Sequence, residues 1–340
     1  MRRIEMKEVL KMGVIGVGFF GSKHAIVIKQ LANAELTCIC DVNEEIAKEA
    51  AKRYGCEYYT DYKEMLAKGD IDAVSICVSE DYHCETAIAS AEAGKHILLE
   101  KPIATNYEDA LKIKEAAKKN DVRLMVAHIL KWDGKYAYTE RAIEAGELGD
   151  IISMSFTRAV HHETSKSFNG RVSFYHYTIV HDIEYMLTYA WPAKVVKVYS
   201  QWTNKRNKSY NSQDTAFNIF TFDDGTIACV QVCWSLPVNS ARVIEARAEI
   251  LGTKGVSYIN GSHSGLEIIK ERVESEIPNL TAWPEYNNEI RGMLYDEIDH
   301  FVSSTLKGGE YLVCTDRAIE AVRMIDACFE SLRTGLPVDL

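Results

Sequence analysis

Residues 11–21, which read KMGVIGVGFFG, join a short apolar stretch to the pattern G-x-G-x-x-G. An apolar strand that leads into such glycines and then into a helix is typical of the turn that holds the pyrophosphate of a dinucleotide. Gly16 permits the tight turn, Gly18 lets a phosphate approach the backbone, and Gly21 lets the helix pack closely. The helix N terminus adds free N–H groups and the positive end of its dipole. The stretch therefore predicts dinucleotide binding rather than a glycine turn without a ligand.

An acidic residue closes the next predicted strand, because Asp41 follows LTCIC at residues 36–40. A carboxylate there accepts hydrogen bonds from both ribose hydroxyls and repels a 2′-phosphate. Neither Val42 nor Asn43 is an arginine that would hold such a phosphate. NAD is therefore predicted as the cofactor in preference to NADP. Asp41 could instead, or also, cap a helix that begins near Glu44.

The bulk properties fit a two-domain globular protein, since the chain has 340 residues, of which 47% are apolar and 26% charged. A net charge of −10 gives no electrostatic reason to bind nucleic acid or anionic lipid. Residues 1–10 lack the apolar core of a signal peptide, and no later run could span a bilayer. Nine cysteines without C-x-x-C spacing indicate a reducing compartment. We expect a soluble, cytoplasmic protein without nucleic-acid or membrane partners.

Residues 11 to about 125 alternate short apolar strands with helices. This order predicts a Rossmann-type, doubly wound parallel sheet for a first domain, residues 1–127. The run 73–78 is apolar almost throughout, as expected of a strand buried on both faces. Ligands of such sheets bind at the carboxyl ends of the strands. The residues that follow predicted strand ends are Gly16, Asp41, Ser79 and Lys101.

From about residue 150 the pattern changes to alternation with a period of two. Strands are predicted at 151–158, 195–202, 215–222, 226–234 and 242–251, with tight turns at 223–225 and 252–255. Helices are predicted at 175–189, 286–306 and 315–333, and long loops at 204–213 and 277–286. We therefore expect a second, α+β domain, residues 128–340, with a large, mostly antiparallel open sheet. Its closing C-terminal helix is expected to pack back on the first domain.

Glu100-Lys101-Pro102 ends a predicted strand beside the expected cofactor cleft. Partial burial and a nearby nicotinamide charge would lower the pKa of Lys101 and ease proton transfer, so Lys101 is a candidate acid or base. The alternative is a surface lysine paired with Glu100.

The segment 174–184, FYHYTIVHDIE, places Tyr177 and His181 on one face if it is helical. A histidine followed by a carboxylate, here Asp182, suits proton transfer. The alternative is a pair of core or interface aromatic residues. His161-His162-Glu163 could in principle bind a metal, but no third ligand is placed, so no metal site is predicted.

The whole chain resembles the glucose-fructose oxidoreductase, inositol dehydrogenase and MocA family. The most specific match is AGKHILLEKP at 93–102, which looks like the family signature AGKHV-x-x-EKP. The other matching segments are VIGVGFFG at 14–21, residues 73–83 with Ser79 where a proline is common, VAHILKW at 126–132, HDIE at 181–184, and the closing helices over 295–331.

The resemblance implies that a secondary alcohol loses hydride to the nicotinamide. It implies that Lys101 lies near the reacting oxygen and that His181 takes the hydroxyl proton. The family usually has an aspartate four residues before this histidine, whereas Tyr177 stands here, and a phenol of pKa ~10 is a poor base unless perturbed. The predicted cofactor-binding residues are Gly16, Gly18, Phe19, Phe20, Gly21, Asp41, Val78, Ser79, His83, Glu100 and Lys101.

Predicted substrate-facing residues are histidines, tryptophans and an arginine, which offer an apolar face and hydrogen bonds to a polyhydroxylated ring: His128, Trp132, Arg158, His162, His176 and Trp234. Arg158, Lys166 and Arg171 could instead hold a carboxylate or a nucleotide diphosphate. The resemblance also implies a homodimer or homotetramer formed through the sheet of the second domain, which suits the alternating strands over 215–234.

The predicted function is therefore an NAD-dependent dehydrogenase that oxidises a secondary hydroxyl of a sugar, sugar derivative or cyclitol. Two alternatives stay open. One is a UDP-sugar dehydrogenase of the same family, and the other is a non-catalytic NAD-binding regulator.

Overall fold

The structure, a computed structural model, describes residues 8–240, 244–262, 264–269, 277–287 and 289–340. It separates into two compact units. The first unit extends to Trp132 and includes Thr281–Ile319, and the second comprises Asp133–Leu280 and Glu320–Leu340. Within the described ranges, no helix has the length and apolarity needed to cross a membrane.

The elements follow one another from β1 to β15 and from α1 to α10. As far as residue 144 they are β1 (Leu10–Ile15), α1 (Phe19–Gln30), β2 (Ala34–Cys40), α2 (Glu44–Tyr54), β3 (Glu57–Tyr59), α3 (Tyr62–Lys68), β4 (Ala73–Ile76), α4 (His83–Glu92), β5 (His96–Glu100), α5 (Tyr107–Lys119), β6 (Leu124–Ala127) and α6 (Gly134–Glu144). The remainder are β7 (Ile151–His161), α7 (Glu163–Phe168), α8 (Val180–Ala190), β8 (Val195–Thr203), β9 (Thr215–Phe222), β10 (Ile227–Leu236), β11 (Ile244–Gly252), β12 (Val256–Asn260), β13 (Glu285–Tyr286), β14 (Glu289–Ile290), α9 (Met293–Lys307), α10 (Thr315–Thr334) and β15 (Val338–Asp339). Short 3₁₀ turns lie at Glu80–Tyr82, Ile129–Trp132 and Asn207–Tyr210, and a π-helical turn lies at Tyr175–Ile179.

The first unit contains a six-stranded sheet in the order β3-β2-β1-β4-β5-β6, and all of its strand pairs are parallel. The predicted Rossmann sheet is therefore confirmed. The strand order reverses between β1 and β4, which is the place where such sheets bind ligands. Side chains on both faces of the sheet are buried, as β4 (Ala73–Ile76) illustrates, in which Ser75 is polar and the other three residues are apolar.

Helix starts in the first unit follow the usual capping chemistry. Asn43 accepts hydrogen bonds from the N–H groups of Glu45 and Ile46 at the start of α2, and Asp61 and Asn106 cap α3 and α5. The cap of α2 is thus Asn43, so the alternative that Asp41 caps this helix is wrong. Helix α1 differs from these three because it begins after Gly18 without a side-chain cap.

The second unit contains a seven-stranded sheet in the order β12-β11-β7-β10-β9-β8-β15. Its pairs are antiparallel except for β7 and β10, which run parallel at the centre, so the predicted mostly antiparallel sheet is confirmed. The turns predicted at 223–225 and 252–255 join β9 to β10 and β11 to β12. Arg242 and Val243, the first residues of the strand predicted at 242–251, lie outside the described residues.

A buried asparagine ties the sheet of the second unit to the segment that precedes α8. Asn218 accepts hydrogen bonds from the hydroxyls of Tyr175 and Ser200, both at 2.8 Å, and donates one to the Val230 carbonyl at 2.9 Å. Because every polar atom in such a fully buried cluster needs a partner, these bonds define where Tyr175 lies on the sheet.

Two predicted helices begin differently from expectation. The helix predicted at 175–189 is divided into the π-helical turn and α8, and Val180 donates to the Tyr175 carbonyl five residues back. The helix predicted at 286–306 begins only at Met293, after Gly292 with φ of 76°. The loop carbonyls of Thr281 and Ala282 accept the first N–H groups of α9. Hydrophobic periodicity does not report these backbone contacts.

Candidate active site

The three glycines of the G-x-G-x-x-G pattern differ in their surroundings. Gly16 has φ of 84°, and a Cβ there would lie 2.8 Å from the Cys77 carbonyl oxygen. A Cβ on Gly21 would lie 1.8 Å from the Gly16 carbonyl oxygen. A Cβ on Gly18 would meet no atom within 4 Å. Gly16 and Gly21 therefore allow α1 to pack against the ends of β1 and β4, whereas Gly18 faces open space.

The N terminus of α1 begins directly after Gly18, beside this turn. It has neither a side-chain cap nor an acidic residue in its first turn, so no carboxylate of the helix itself offsets the positive end of the helix dipole. The Phe20 ring lies 5.2 Å from Trp283, and Phe19 is 66% exposed. Open N–H groups, a positive dipole end and an unobstructed glycine together fit a pyrophosphate.

Asp41 lies at the end of β2 beside the glycine turn. One carboxylate oxygen accepts the Val17 N–H at 3.0 Å, and the other accepts the Asn43 N–H, also at 3.0 Å. Each oxygen keeps a second lone pair for a ligand hydroxyl. The carboxylate is thus fixed in place and able to accept hydrogen bonds from a ribose.

His83 joins the two segments that follow β4 and β5. The imidazole is 1% exposed, with Nδ1 2.7 Å from the Pro102 carbonyl oxygen and Nε2 3.2 Å from that of Val78. Burial lowers the pKa of His83, so the neutral ring donates to one carbonyl, and the shorter contact favours Pro102. His83, predicted to contact the cofactor, therefore holds the loops of Val78 and Lys101 from beneath, whereas Ser79 is exposed.

Glu100 ends β5 and is largely buried, and Lys101 follows it. One Glu100 oxygen lies 3.1 Å from His24 Nε2, and the other accepts the backbone N–H of Lys101 at 3.2 Å. His24 is fully buried in α1, and its Nδ1 lies 2.7 Å from the Ser75 hydroxyl. Glu100 thus fixes the backbone of Lys101, a role that the sequence did not suggest.

His128 follows β6 at the same edge of the sheet. The ring is 1% exposed, and burial together with the charge of Lys101 lowers its pKa to about 3. His128 is therefore neutral at pH 7 and lies close enough to Lys101 to sense its ammonium. Trp132 is partly exposed, and its ring lies 5.7 Å from that of His300 in α9.

In the second unit, Tyr177 and His181 are both partly exposed. The Tyr177 ring is enclosed by Phe168 at 4.8 Å and Trp234 at 5.9 Å. Trp234, predicted to face substrate, is fully buried, and its indole N–H donates to the Thr178 hydroxyl at 2.7 Å. Trp234 is therefore a core residue that packs against Tyr177, and it does not face a substrate.

Arg158 is also a core residue. Its guanidinium donates to both Asp182 oxygens, at 2.7 and 2.9 Å, and lies 3.4 Å from the Tyr136 hydroxyl. The side chains of Arg158 and Asp182 are both buried, so Arg158 is not placed to bind a substrate carboxylate or diphosphate. The pair also engages the carboxylate that was expected to orient His181.

Two further predicted residues of this unit, His176 and His162, have other neighbours. His176 is 8% exposed, and its ring lies 5.6 Å from Phe329 in α10. His162 lies just after β7 with its Nε2 3.3 Å from Arg206 and 3.5 Å from Glu163. Among the described residues, no three histidine, cysteine, aspartate or glutamate side chains are grouped as metal ligands.

The first unit therefore brings most of its predicted residues to one edge of the sheet. The switch point of the sheet carries the glycine turn, the uncapped N terminus of α1 and the Asp41 carboxylate, which can accept hydrogen bonds from a ribose. Lys101 follows β5, and neutral His128 follows β6. This arrangement defines a dinucleotide-binding unit of the Rossmann class.

Comparison with known protein families shows the family of this chain. It belongs to the glucose-fructose oxidoreductase, inositol dehydrogenase and MocA family of oxidoreductases, as the sequence resemblance predicted. Residues 10–128 match the NAD-binding Rossmann fold of the oxidoreductase family, and residues 140–340 match its C-terminal alpha/beta domain.

Several relatives have established names. The scyllo-inositol 2-dehydrogenase (NAD(+)) of Bacillus subtilis is 26% identical over 342 residues, 98% of this chain and 97% of that protein. The myo-inositol 2-dehydrogenase of Thermotoga maritima is 30% identical over 256 residues, 72% of this chain and 74% of that protein. The structure of scyllo-inositol dehydrogenase from Lactobacillus casei, with bound NAD(H) and scyllo-inositol, has a TM-score of 0.82 at 19% identity and covers 97% of this chain and 99% of that chain. The last comparison supports the fold.

Because Gly18 and Gly21 have different surroundings, replacing each of them by alanine should have a different effect. Gly18→Ala should leave the thermal midpoint unchanged and weaken NADH binding at least about tenfold, because the added methyl fills the space open to phosphate. Gly21→Ala should lower the thermal midpoint, because its methyl collides with the Gly16 carbonyl. Differential scanning fluorimetry and NADH fluorescence titration measure the two effects. A Gly18→Ala protein that binds NADH as the wild type does would contradict the assignment.

Proposed function

We propose that the protein is an NAD-dependent dehydrogenase that oxidises a secondary ring hydroxyl of a cyclitol or a related sugar. The observation that carries this proposal is the position of Lys101, fixed through its backbone by Glu100 and next to neutral His128, on the sheet edge that also presents Gly18 and Asp41. Relatives named as inositol 2-dehydrogenases support the substrate class.

The bound nicotinamide would supply the hydride acceptor. The substrate carbon loses its hydrogen as hydride, the hydroxyl oxygen loses its proton, and a ketone results. We propose that the Lys101 ammonium stabilises charge on the reacting oxygen and that His181 accepts the proton. Tyr177 would contact a ring hydroxyl through its phenol, and the enclosing Phe168 and Trp234 rings restrict its motion.

Neither alternative function gains support from the described residues. A site for a nucleotide diphosphate would use Arg158, Lys166 and Arg171. Arg158 is bound by Asp182, Lys166 lies 3.3 Å from a Glu163 oxygen, and the Arg171 guanidinium lies over the Phe168 ring. A regulator without chemistry was suggested by Tyr177 in place of aspartate, and the relatives named above are dehydrogenases.

Turnover of a substrate panel tests the proposal. With NAD⁺ and inositols, other cyclitols, aldoses, sugar acids and UDP-sugars, we expect NADH formation with cyclitols or simple sugars and none with UDP-sugars. Lys101→Ala and His181→Ala should each lower kcat by about 100-fold or more, whereas exposed Lys118→Ala should not change it. Tight NADH binding without turnover of any compound would contradict the proposal.

We also propose NAD in preference to NADP. The Asp41 carboxylate is held by two backbone N–H groups, so it cannot swing away from a 2′-phosphate without losing both bonds. Val42, next to it, is 90% exposed and offers no positive charge.

Substitution of Asp41 tests the cofactor preference. Asp41→Ser should lower kcat/KM for NAD⁺ and raise it for NADP⁺, because the negative charge is lost while a hydroxyl can still accept a hydrogen bond. We expect the NAD⁺ to NADP⁺ ratio of kcat/KM to fall by about 10-fold or more, measured with the best substrate of the panel. An unchanged ratio would show that Asp41 does not select the cofactor.

A second copy of the chain is the proposed partner of the outer sheet face in the second unit. Along β9, Phe217 and Ile219 alternate with buried residues and are 48% and 36% exposed. Ile227 on β10, 50% exposed, and the partly exposed Cys229 adjoin them, and Cys229 lies opposite Ile219. Exposed apolar side chains on neighbouring strands of one sheet face suit a symmetric contact between two identical faces.

Light scattering coupled to size-exclusion chromatography tests this contact. The wild type should elute as a dimer or tetramer, and Phe217→Lys should shift it towards the monomer, because the charge is buried in the contact. Tyr138→Lys is the matched control, since Tyr138 is an exposed aromatic residue in α6 of the same unit. A monomeric wild type, or an unchanged mass for Phe217→Lys, would refute the proposed contact.

A further inference from the structure

One buried acid in the first unit has no part in the site described above. Glu297 lies in α9 and is 0% exposed, and neither carboxyl oxygen has a hydrogen-bond partner among the described residues. Leu294, Ile298 and Phe301 on the same helix are also 0% exposed and belong to the apolar core. An unpaired carboxylate in such surroundings would be strongly destabilising, so Glu297 must be held as the neutral acid.

Two charged groups from neighbouring elements act on Glu297. Burial raises the pKa of Glu297 well above its ordinary value, the charge of Glu100 from β5 raises it further, and His24 from α1 lowers it. Helix α1 packs directly on α9. The turn Ile129–Trp132 also packs on α9, where Trp132 lies against His300.

His24 and Glu100 form the ion pair next to this acid. Burial lowers the pKa of His24, but Cys77 and Glu100 outweigh it and raise the pKa well above its ordinary value. Burial raises the pKa of Glu100, but the hydrogen bond and charge of His24 lower it overall. His24 is therefore an imidazolium that donates to Ser75 and Glu100, and it compensates one carboxylate.

We propose that Glu297 is a positioning residue for Lys101. As a neutral acid, Glu297 adds no negative charge near Glu100, so the contact between His24 and Glu100 is kept. The second oxygen of Glu100 then keeps the Lys101 N–H at the end of β5. When Glu297 loses its proton, two carboxylates repel each other and compete for one imidazolium, and the segment that carries Lys101 loosens.

The direction of the pH effect follows from the raised pKa. A carboxyl group whose pKa is higher in the folded than in the unfolded state contributes its full stability at acidic pH. That contribution falls as the pH rises from about 4.3, the ordinary glutamate pKa, through the raised value. The stability of the first unit should therefore decrease from about pH 4.3 up to the raised pKa, and its cofactor affinity should decrease above the raised pKa, where the folded protein loses this proton.

Infrared difference spectroscopy tests the protonation state directly. The wild type minus Glu297→Gln spectrum at neutral pH should show the C=O stretch of a buried carboxylic acid. The control is Glu310→Gln, which removes an exposed carboxyl from the same unit and should give no such band. A difference spectrum with only carboxylate bands at position 297 would overturn the proposal.

The pH dependence of NADH affinity tests the positioning role. Wild type and Glu310→Gln should lose affinity above the Glu297 pKa, with a slope of at most about tenfold per pH unit, whereas Glu297→Gln should show no such alkaline decline. His24→Gln should bind NADH more weakly over the whole pH range, because Glu100 loses its cation. Glu297→Gln that only lowers the thermal midpoint, with the wild-type pH profile retained, would indicate a structural role and overturn the proposal.

The kinetic consequence rests on the proposed function, and the pH profile of kcat/KM should follow that of NADH affinity. The spectrum and the titration need no turnover. A protein inert towards every sugar and cyclitol would therefore refute the dehydrogenase proposal alone, while the two measurements above would still decide the role of Glu297.

Discussion

The close contact between α1 and the ends of β1 and β4 is the constraint on which the first unit depends. It exists because Gly21 has no side chain where the Gly16 carbonyl lies, and because Gly16 adopts a conformation that other residues rarely take. The same contact directs the uncapped N terminus of α1 at the switch point of the sheet. It also carries His24 inward until its ring reaches Glu100. The absence of these side chains thus sets both the direction of the helix N terminus and the contact between His24 and Glu100.

The pair formed by His24 and Glu100 connects the end of β5, where Lys101 follows, to the buried interior of the first unit. A buried charge is tolerated only when a partner and further hydrogen bonds compensate it. Here Ser75 contacts His24, His24 contacts Glu100, and Glu100 accepts the Lys101 N–H. Glu297 lies behind this chain as an additional acid for which no second cation is present among the groups that act on it. The second unit uses the same principle, because Arg158 and Asp182 pair within its core.

Much of the fold could be predicted from the sequence. Apolar runs bounded by glycine, together with capping residues such as Asn43, are local signals, so the parallel sheet and most helix bounds followed from them. The parallel pairing of β7 with β10 did not, since alternation reports which face of a strand is buried and not which strand lies beside it. The π-helical turn at Tyr175–Ile179 was also missed, because it depends on contacts such as that of Tyr175 with Asn218, 43 residues away.

For the candidate site, the sequence by itself determined the chemistry that has a local pattern: the glycine turn, the carboxylate after β2 and the lysine after β5. Only the tertiary structure decided which polar residues are sealed in the core. Arg158 and Trp234 looked like ligands in the sequence and are buried with partners, whereas His24 and Glu297 carried no signal. The physical reason is that burial and charge pairing arise between elements far apart in the chain, and no local spacing encodes the distance between them.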